Sequence, residues 1–270
     1  MSKTIVLCGC GWLGKYAAEQ LIAEGNQVIG TTRSQDKADA LSQRQVTPVL
    51  FSLGDDPKIL FDTAPDVLIL NVPPGRKKAL DPSFIDNMKT LIASAISAGV
   101  KHTIFVSTTS VYGAISQGDV TEDTALSPNT ASGEAHQAIE AFLQSQTQQF
   151  DILRLSGLVG PDRHPINTLA GRTLENGNQV TNLVHVEDVV SALITMVNSG
   201  PSSSAYLLSS LAQPKRADYY VYCAEQKGLP VPQFSGYSTE QSPAGKRIVS
   251  DKSWKKLGLT PKYASPYDMI

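Results

Sequence analysis

The sequence predicts an α/β fold built on a doubly wound parallel sheet, and three observations support this prediction. Short apolar runs of strand length recur along the 270 residues. Segments with apolar residues at helical spacing lie between them, most clearly 84–98, where Phe84, Met88 and Leu91 share one face. A glycine-rich turn follows the first apolar run. Strands that alternate with helices in this way form a parallel sheet covered on both faces.

The elements follow in order from the N-terminus. Residues 4–8 are an apolar, branched run of the length expected for a buried strand. Residues 15–24 show helical spacing and end at the turn pair Gly25-Asn26, after which 27–31 is the second strand. Four further apolar runs predict the remaining strands: 46–51, 67–70, 103–106 and 150–155.

The turn after the first strand reads Gly-Cys-Gly-Trp-Leu-Gly at residues 9–14. Between a strand and a helix that is followed by a second strand, Gly-x-Gly-x-x-Gly indicates a dinucleotide site. Gly9 permits the tight turn, Gly11 lets the backbone approach a pyrophosphate, and Gly14 permits close packing of helix on strand. The helix N-terminus offers N–H groups and a positive dipole to phosphates. We therefore predict a Rossmann-type domain with cofactor contacts from Gly9, Gly11, Trp12, Leu13 and Gly14, although the Trp12 ring is expected to pack on the sheet.

The end of the second strand indicates which dinucleotide is bound. NAD sites usually place Asp or Glu there to bind the ribose 2′-OH. This chain reads Thr-Thr-Arg-Ser at 31–34, with no carboxylate before Asp36. The Arg33 guanidinium can bind a 2′-phosphate through a forked pair of charge-assisted hydrogen bonds. Additional hydroxyl groups and positive charge come from Thr32, Ser34 and Lys37. We predict NADP(H) as the cofactor.

Composition limits the function classes. The chain has 23 Lys and Arg residues against 25 Asp and Glu, a formal net charge of −2, which gives no reason to expect nucleic acid or a membrane surface as partner. Without an apolar run near the ~20 residues of a membrane span, and with a strand-like N-terminus, we expect a cytoplasmic protein. The three cysteines are expected to be reduced thiols, and the scattered histidines predict no metal site.

Ligands of such sheets bind beyond the carboxyl ends of the strands, so the loops there are candidate sites. The loop at 70–75 contains two prolines, and we expect Asn71, Val72 and Pro73 to lie against the cofactor. The loop at 107–113 begins with four successive hydroxyl residues. The pattern becomes less regular from about residue 162. We predict a cofactor-binding domain at 1–161 plus 184–204 and a smaller substrate lobe at 162–183 plus 205–270.

Several motifs together resemble one known family. They are Ser-Val-Tyr-Gly at 110–113, Leu-Arg through Val-Gly-Pro at 153–161, Val-His-Val-Glu-Asp-Val at 184–189, Gly-Lys-Arg at 245–247 and the segment 257–263. In this order they resemble the extended short-chain dehydrogenases/reductases, the NAD(P)-dependent epimerase/dehydratase family, over essentially the whole chain. The shortened glycine motif resembles an atypical bacterial subgroup described as nucleoside-diphosphate-sugar epimerase-like.

This resemblance implies hydride transfer with a Ser or Thr, a Tyr and a Lys, but the chain departs from that pattern. Thr108 occupies the Ser/Thr position, while Ser132 and His136 occupy the Tyr and Lys positions. No Tyr-x-x-x-Lys occurs in the sequence. An alkyl hydroxyl is too weak an acid to replace Tyr, so the proton carrier is either His136 or Tyr112. The alternative for His136 is an exposed helix residue.

The expected substrate is a small molecule, and a nucleotide sugar fits the resemblance. The candidate substrate-binding residues are Thr109, Ser110, Arg163, His164 and Lys246. For Arg163 and His164 the alternative is a surface loop, and for Lys246 an ion pair within the lobe. Two functions remain open: an NADP-dependent oxidoreductase or epimerase, and a catalytically inactive NADP(H)-binding sensor.

Overall fold

The computed structural model describes residues 2–75, 80–114 and 117–270. Its strands are β1 (Thr4–Cys8), β2 (Gln27–Thr32), β3 (Thr47–Leu50), β4 (Val67–Leu70), β5 (His102–Thr108), β6 (Gln117–Val120), β7 (Phe150–Leu155), β8 (Gly157–Val159), β9 (Thr173–Leu174), β10 (Leu183–His185), β11 (Ser204–Leu208), β12 (Gln233–Phe234) and β13 (Gly245–Ile248). Its α-helices are α1 (Trp12–Ala23), α2 (Gln35–Ser42), α3 (Phe84–Ser97), α4 (Ala131–Gln146), α5 (Ile166–Leu169), α6 (Val186–Ser199), α7 (Arg216–Gln226) and α8 (Asp251–Leu257).

Seven strands form one sheet in the order β11-β7-β5-β4-β1-β2-β3. The pairs β1–β2, β2–β3, β1–β4 and β4–β5 are parallel. Apart from the partly buried Thr4, strands β1 and β4 consist of buried apolar residues, as expected for strands covered on both faces. This arrangement confirms the predicted Rossmann-type α/β fold with a doubly wound sheet.

The order of the strands reverses at β1, which pairs with β2 on one side and with β4 on the other. A reversal of this kind opens a crevice beyond the carboxyl ends of the strands, because the two connections leave in opposite directions. The glycine turn lies at this point. Helix α1 begins at Trp12, three residues earlier than the predicted 15–24, so the last three residues of the motif already form its first turn.

The chain divides into two compact units. The first comprises Met1–Val111, Leu126–Arg154 and Val190–Tyr206. The second comprises Tyr112–Ala125, Leu155–Val189 and Leu207–Ile270. This division differs from the sequence-based one, which placed three parts of the second unit with the cofactor-binding domain: Tyr112–Ala125, 155–161 and 184–189. Strand pairs β6–β13, β8–β10 and β9–β12 belong to the second unit.

Each unit has its own apolar core. In the first, side chains of the sheet pack against α3 and α4, with Met88, Leu91 and Leu143 fully buried. In the second, Tyr219 and Tyr220 of α7 pack with other buried apolar residues. Among the described residues, no helix is long and apolar enough to cross a membrane, and no cluster of three metal-ligand side chains occurs. The three cysteines are buried free thiols.

Candidate functional site

A cavity of about 550 Å³ lies within the first unit, beyond the carboxyl ends of β1, β2 and β4. It is lined by Cys8, Gly9, Cys10, Gly11, Thr31, Thr32, Arg33, Lys37, Phe51, Leu53, Asn71, Val72, Pro73, Pro74, Gly75, Asp81, Phe84 and Asn87. Seven of the eleven predicted cofactor-binding residues are among them: Gly9, Gly11, Thr32, Arg33, Asn71, Val72 and Pro73. The cavity lies where the reversal of strand order predicts a ligand site.

The glycine turn has no room for side chains at two of its three glycines. Gly9 has a φ of +95°, and a Cβ there would lie 2.5 Å from the carbonyl oxygen of Asn71. A Cβ on Gly14 would lie 2.7 Å from the carbonyl oxygen of Gly9, so α1 packs directly on the turn. A Cβ on Gly11 would meet nothing within 4 Å. Backbone at Gly11 is therefore open to the cavity, as a closely approaching ligand requires.

Hydrogen bonds from β2 and β4 fix the shape of this turn. The Gly9 N–H donates to Thr31 Oγ1 at 2.8 Å, and the Cys10 N–H donates to the Thr31 carbonyl at 3.1 Å. The Asn71 side-chain amide donates to the Gly9 carbonyl at 2.9 Å. Asn71 thus both lines the cavity and holds the turn. Gly11, the N-cap residue of α1, lines the cavity and has no side chain to cap the helix, so the positive end of α1 is open to the cavity.

Positive charge enters the cavity from the end of β2 and from α2. Arg33 and Lys37 both line it, and both side chains are exposed. Within residues 2–75, 80–114 and 117–270, neither forms an ion pair with a carboxylate. Asp81 is the single carboxylate of the described lining, and it accepts hydrogen bonds from the Ser83 N–H and hydroxyl. The two cations are therefore available to an anionic ligand.

The other predicted cofactor contacts do not line the cavity. Leu13 and Gly14 are buried in the first turn of α1. Trp12 is half-buried and contacts Tyr16 edge-on, with 5.3 Å between the ring centroids. Ser34 is the exposed residue that precedes α2.

Sequence reasoning missed one wall of the cavity. Phe51 and Leu53 follow β3, while Phe84 and Asn87 belong to α3. Phe51 and Phe84 are buried and Leu53 partly so, which gives this side an apolar surface. The rule that ligands bind beyond the carboxyl ends of parallel strands, applied to the third strand as well, would have found Phe51 and Leu53.

The hydroxyl loop follows β5. Thr108 is half-buried, and its Oγ1 accepts a hydrogen bond from the Ser110 N–H and donates to Ser110 Oγ, both at 3.2 Å. Thr109 is buried. The start of α4 packs against this loop so closely that a Cβ on Gly133 would lie 2.7 Å from the Ser110 carbonyl oxygen. The Thr108 loop and the residues that replace Tyr and Lys therefore belong to one local assembly.

His136 is a buried residue of α4, so its interpretation as an exposed helix residue is wrong. Only 6% of its surface is exposed, and its ring stacks on Phe105 at a centroid distance of 5.7 Å. Its Nδ1 donates to the Ser132 carbonyl at 2.7 Å, because a carbonyl can only accept. Burial lowers the pKa of His136, and the Ser132 hydrogen bond and the Glu140 charge oppose that effect. The imidazole is neutral at pH 7, with Nε2 as its acceptor nitrogen.

Tyr112, the other proposed proton carrier, is also a buried residue. It belongs to the second unit, and its side chain is only 1% exposed. A proton carrier must come within hydrogen-bond reach of substrate, and this side chain forms part of the core instead. His136 is buried as well, so the assignment of the proton carrier stays a prediction.

Two of the predicted substrate contacts in the second unit have structural partners. His164 is buried, its Nδ1 accepts from the Ile166 N–H, and its Nε2 donates to the Tyr219 hydroxyl at 2.8 Å. Burial lowers the pKa of His164 to about 4, so the ring is neutral and unsuited to anion binding. Lys246 donates to the Gly113 carbonyl at 2.8 Å and is half-buried, which lowers its pKa. Arg163 is exposed.

The reversal of strand order, the glycine turn and the cavity between them define a Rossmann-type α/β protein. The chain belongs to the NAD dependent epimerase/dehydratase family, whose model matches residues 5–209. This finding confirms the resemblance of the motifs.

Several known proteins are similar to this chain along most of its length. The chain is 34% identical over 275 residues to Protein YeeZ of Escherichia coli K12, covering 99% of this chain and 98% of that protein. A functionally unknown conserved protein from Silicibacter pomeroyi DSS has a similar structure, with a TM-score of 0.81, 25% identity and coverage of 99% and 96%. UDP-glucuronic acid 4-epimerase from Bacillus cereus, solved in complex with NAD, has a TM-score of 0.82 at 17% identity, with coverage of 98% and 95%. That level of identity supports the fold alone.

Proposed function

We propose that the protein binds NADP(H) in the cavity and catalyses reversible hydride transfer at a carbonyl or alcohol carbon of a small molecule, with a nucleotide sugar as the substrate class. The main support is the combination of an open glycine turn with two cations, Arg33 and Lys37, that have no carboxylate partner in the described chain. A carboxylate that would favour an unphosphorylated ribose is missing from 31–35.

The lining of the cavity fits the parts of this cofactor. The uncapped end of α1 and the open backbone at Gly11 suit a diphosphate. The Arg33 guanidinium and the Lys37 ammonium suit the additional 2′-phosphate. The apolar wall that contains Phe51 and Phe84 suits a flat aromatic base. When bound, the cofactor supplies the donor or acceptor of the hydride.

Two residues of the chain are proposed to act on the substrate. Thr108 orients the reacting oxygen through its hydroxyl group, and His136 accepts the proton at Nε2. A neutral imidazole whose Nδ1–H is already bonded to a carbonyl has one acceptor site and no acidic proton to give. It therefore suits the oxidation half-reaction, in which an alcohol loses a hydride and a hydroxyl proton. Epimerisation begins with such an oxidation and returns the proton on reduction.

The alternative is an NADP(H) sensor without catalytic activity. The specific observation in its favour is the replacement of the Tyr and Lys by Ser132 and His136, together with the burial of the imidazole. A sensor needs the cavity and the cations but no proton carrier. Both functions therefore predict the same cofactor affinity and differ only in turnover.

The test is mass spectrometry of a bacterial metabolite extract incubated with purified protein and NADP(H), using a separation that resolves isomers. Turnover of a metabolite, or its conversion into an isomer, supports the enzyme and identifies the substrate class. The matched controls are the same incubation without cofactor and with Arg33→Ala/Lys37→Ala, which we expect to lose NADP(H) binding but to remain folded. An unchanged metabolite profile alongside tight NADPH binding by the wild type refutes the enzyme and favours the sensor.

A further inference from the structure

A buried charged cluster lies under the hydroxyl loop, in the first unit. Glu140 of α4 is 1% exposed. Its Oε2 accepts from Arg154 Nη2 at 2.7 Å, and both of its carboxylate oxygens accept from Arg154 Nε at 3.2 Å. Ser107 Oγ, also buried, donates to Glu140 Oε1 at 2.5 Å. One carboxylate therefore joins α4 to the carboxyl-terminal parts of β5 and β7.

The cluster is part of a two-point contact between α4 and β5. His136 and Glu140 are four residues apart and share one helix face. Phe105 and Ser107 are two residues apart and share one face of the strand. The His136 ring stacks on Phe105 while the Glu140 carboxylate bonds Ser107, so the two faces meet residue by residue. Ser107 directly precedes Thr108, which makes this contact the link between the two proposed reacting groups.

Stability alone does not explain why this position is charged. Burying an ion pair removes two charges from water, and apolar side chains of similar volume are often equally stable or more so. A carboxylate accepts hydrogen bonds in defined directions, so it specifies the register between α4 and β5 more strictly than apolar packing would. Directional bonds to Ser107 and Arg154 set that register from two strands at once.

We propose that Glu140 is a positioning residue, which holds Ser107 and Arg154 so that His136 and Thr108 keep a fixed separation. This proposal rests on the proposed function for its purpose, but the geometry it describes can be measured without cofactor or substrate. It assigns no chemical step to Glu140.

The decisive variant is Glu140→Leu/Arg154→Met, which replaces the whole pair by apolar groups and leaves no buried charge unpaired. Ser107→Ala is a milder change that removes only the Ser107 bond, whereas Glu140→Gln removes the charge and leaves the buried Arg154 without its carboxylate. The matched control is Asp151→Asn. Asp151 is also a buried carboxylate, but it bonds His102 and Ser202 near the start of β7, at the opposite ends of the same strands.

The readout is NMR of the histidine rings, with the His136 signal assigned by comparison with His136→Gln. In the wild type we expect a nuclear Overhauser contact between the His136 and Phe105 rings. The double variant should remain folded and bind NADPH within about twofold of the wild type, while this contact weakens and the His136 Hε1 resonance shifts. Asp151→Asn should change neither signal. Glu140→Gln, which keeps a bonding oxygen, should give an intermediate result.

An unchanged ring contact and Hε1 shift in the folded double variant would overturn the proposal. Should the double variant not fold, Ser107→Ala gives the same decision, because it keeps the ion pair and removes only the bond to β5. If the wild type does not bind NADPH, the proposed function is refuted, whereas the result on the positioning of His136 still holds. With a substrate in hand, we expect kcat of the double variant to fall about 100-fold with KM for NADPH unchanged, the size of effect expected from a misplacement of about 1 Å.

Discussion

Replacing Arg33 by Ala should separate the affinity for NADPH from the affinity for NADH. Arg33 lines the cavity at the end of β2, and no carboxylate of the described chain neutralises it. Hydrogen bonds to charged groups contribute about 1.5–3 kcal/mol, and an exposed side chain gives the lower part of that range. A loss of about 2 kcal/mol of binding free energy corresponds to a roughly 30-fold higher Kd for NADPH, since each 1.4 kcal/mol is about tenfold. The affinity for NADH should change by less than about twofold, because NADH has no 2′-phosphate for Arg33 to bind.

Isothermal titration calorimetry with both cofactors measures this difference directly. The control is Lys101→Ala, which removes one positive charge at the start of β5, where Lys101 pairs with Asp66. Because exposed charges are screened by salt, the wild-type preference for NADPH should also decrease as ionic strength rises. Equal losses for the two cofactors in Arg33→Ala, or no loss for either, would refute the cofactor assignment. The same loss in Lys101→Ala would show that net charge, not a local contact, determines affinity.

Three further predictions concern the turn, a histidine and a thiol. Gly9→Ala should unfold at clearly lower urea concentration than the wild type, since its Cβ would lie 2.5 Å from the Asn71 carbonyl oxygen at a φ of +95°. Gly11→Leu should keep the urea midpoint of the wild type but lose NADPH binding. Equal urea midpoints for the two variants would contradict the steric argument. Burial lowers the pKa of His164 from 6.5 to about 4, so between these pH values the unfolded chain binds more protons than the folded one. The free energy of unfolding should therefore fall as pH drops from about 6.5 to 4, and it should fall less steeply in His164→Gln. The same dependence on pH in both proteins would exclude His164 as its cause. Burial raises the pKa of Cys10 to about 11, so alkylation of this thiol at pH 8 should be slow. Bound NADPH should slow the reaction further, which peptide mass spectrometry of the alkylated residue would measure. Fast alkylation at a rate independent of NADPH would place the thiol outside the cofactor site.

The local parts of the site could be predicted from sequence. A strand, the glycine turn, a helix and a second strand follow one another within about thirty residues, and each has its own pattern. Gly9, Gly11 and Arg33 therefore line the cavity as predicted. Asn71 was also found, because the carboxyl end of the neighbouring strand must lie beside the turn.

The parts that failed depend on contacts distant in sequence. The sequence left open an exposed position for His136, because polar residues of a surface helix usually face water. In the structure its ring stacks on Phe105, and Arg154 and Ser107, from two other elements, bond the neighbouring Glu140 in the interior. The residue pattern of α4 alone does not predict these contacts. The assignment of Tyr112–Ala125 to the second unit likewise follows from contacts with residues more than a hundred positions away.

The alternation of the two units along the chain has a consequence for biosynthesis. Six segments belong in turn to the first unit and the second, and the last segment of the first unit ends at Tyr206. The ribosome must therefore synthesise the chain as far as Tyr206 before all segments of the first unit are present, whereas the second unit also needs the segment Leu207–Ile270. Since domains fold as units during synthesis and distant contacts are slow to form, we expect nascent chains arrested before Tyr206 to remain sensitive to protease. Chains arrested soon after Tyr206 has left the exit tunnel should already have a first unit that resists protease.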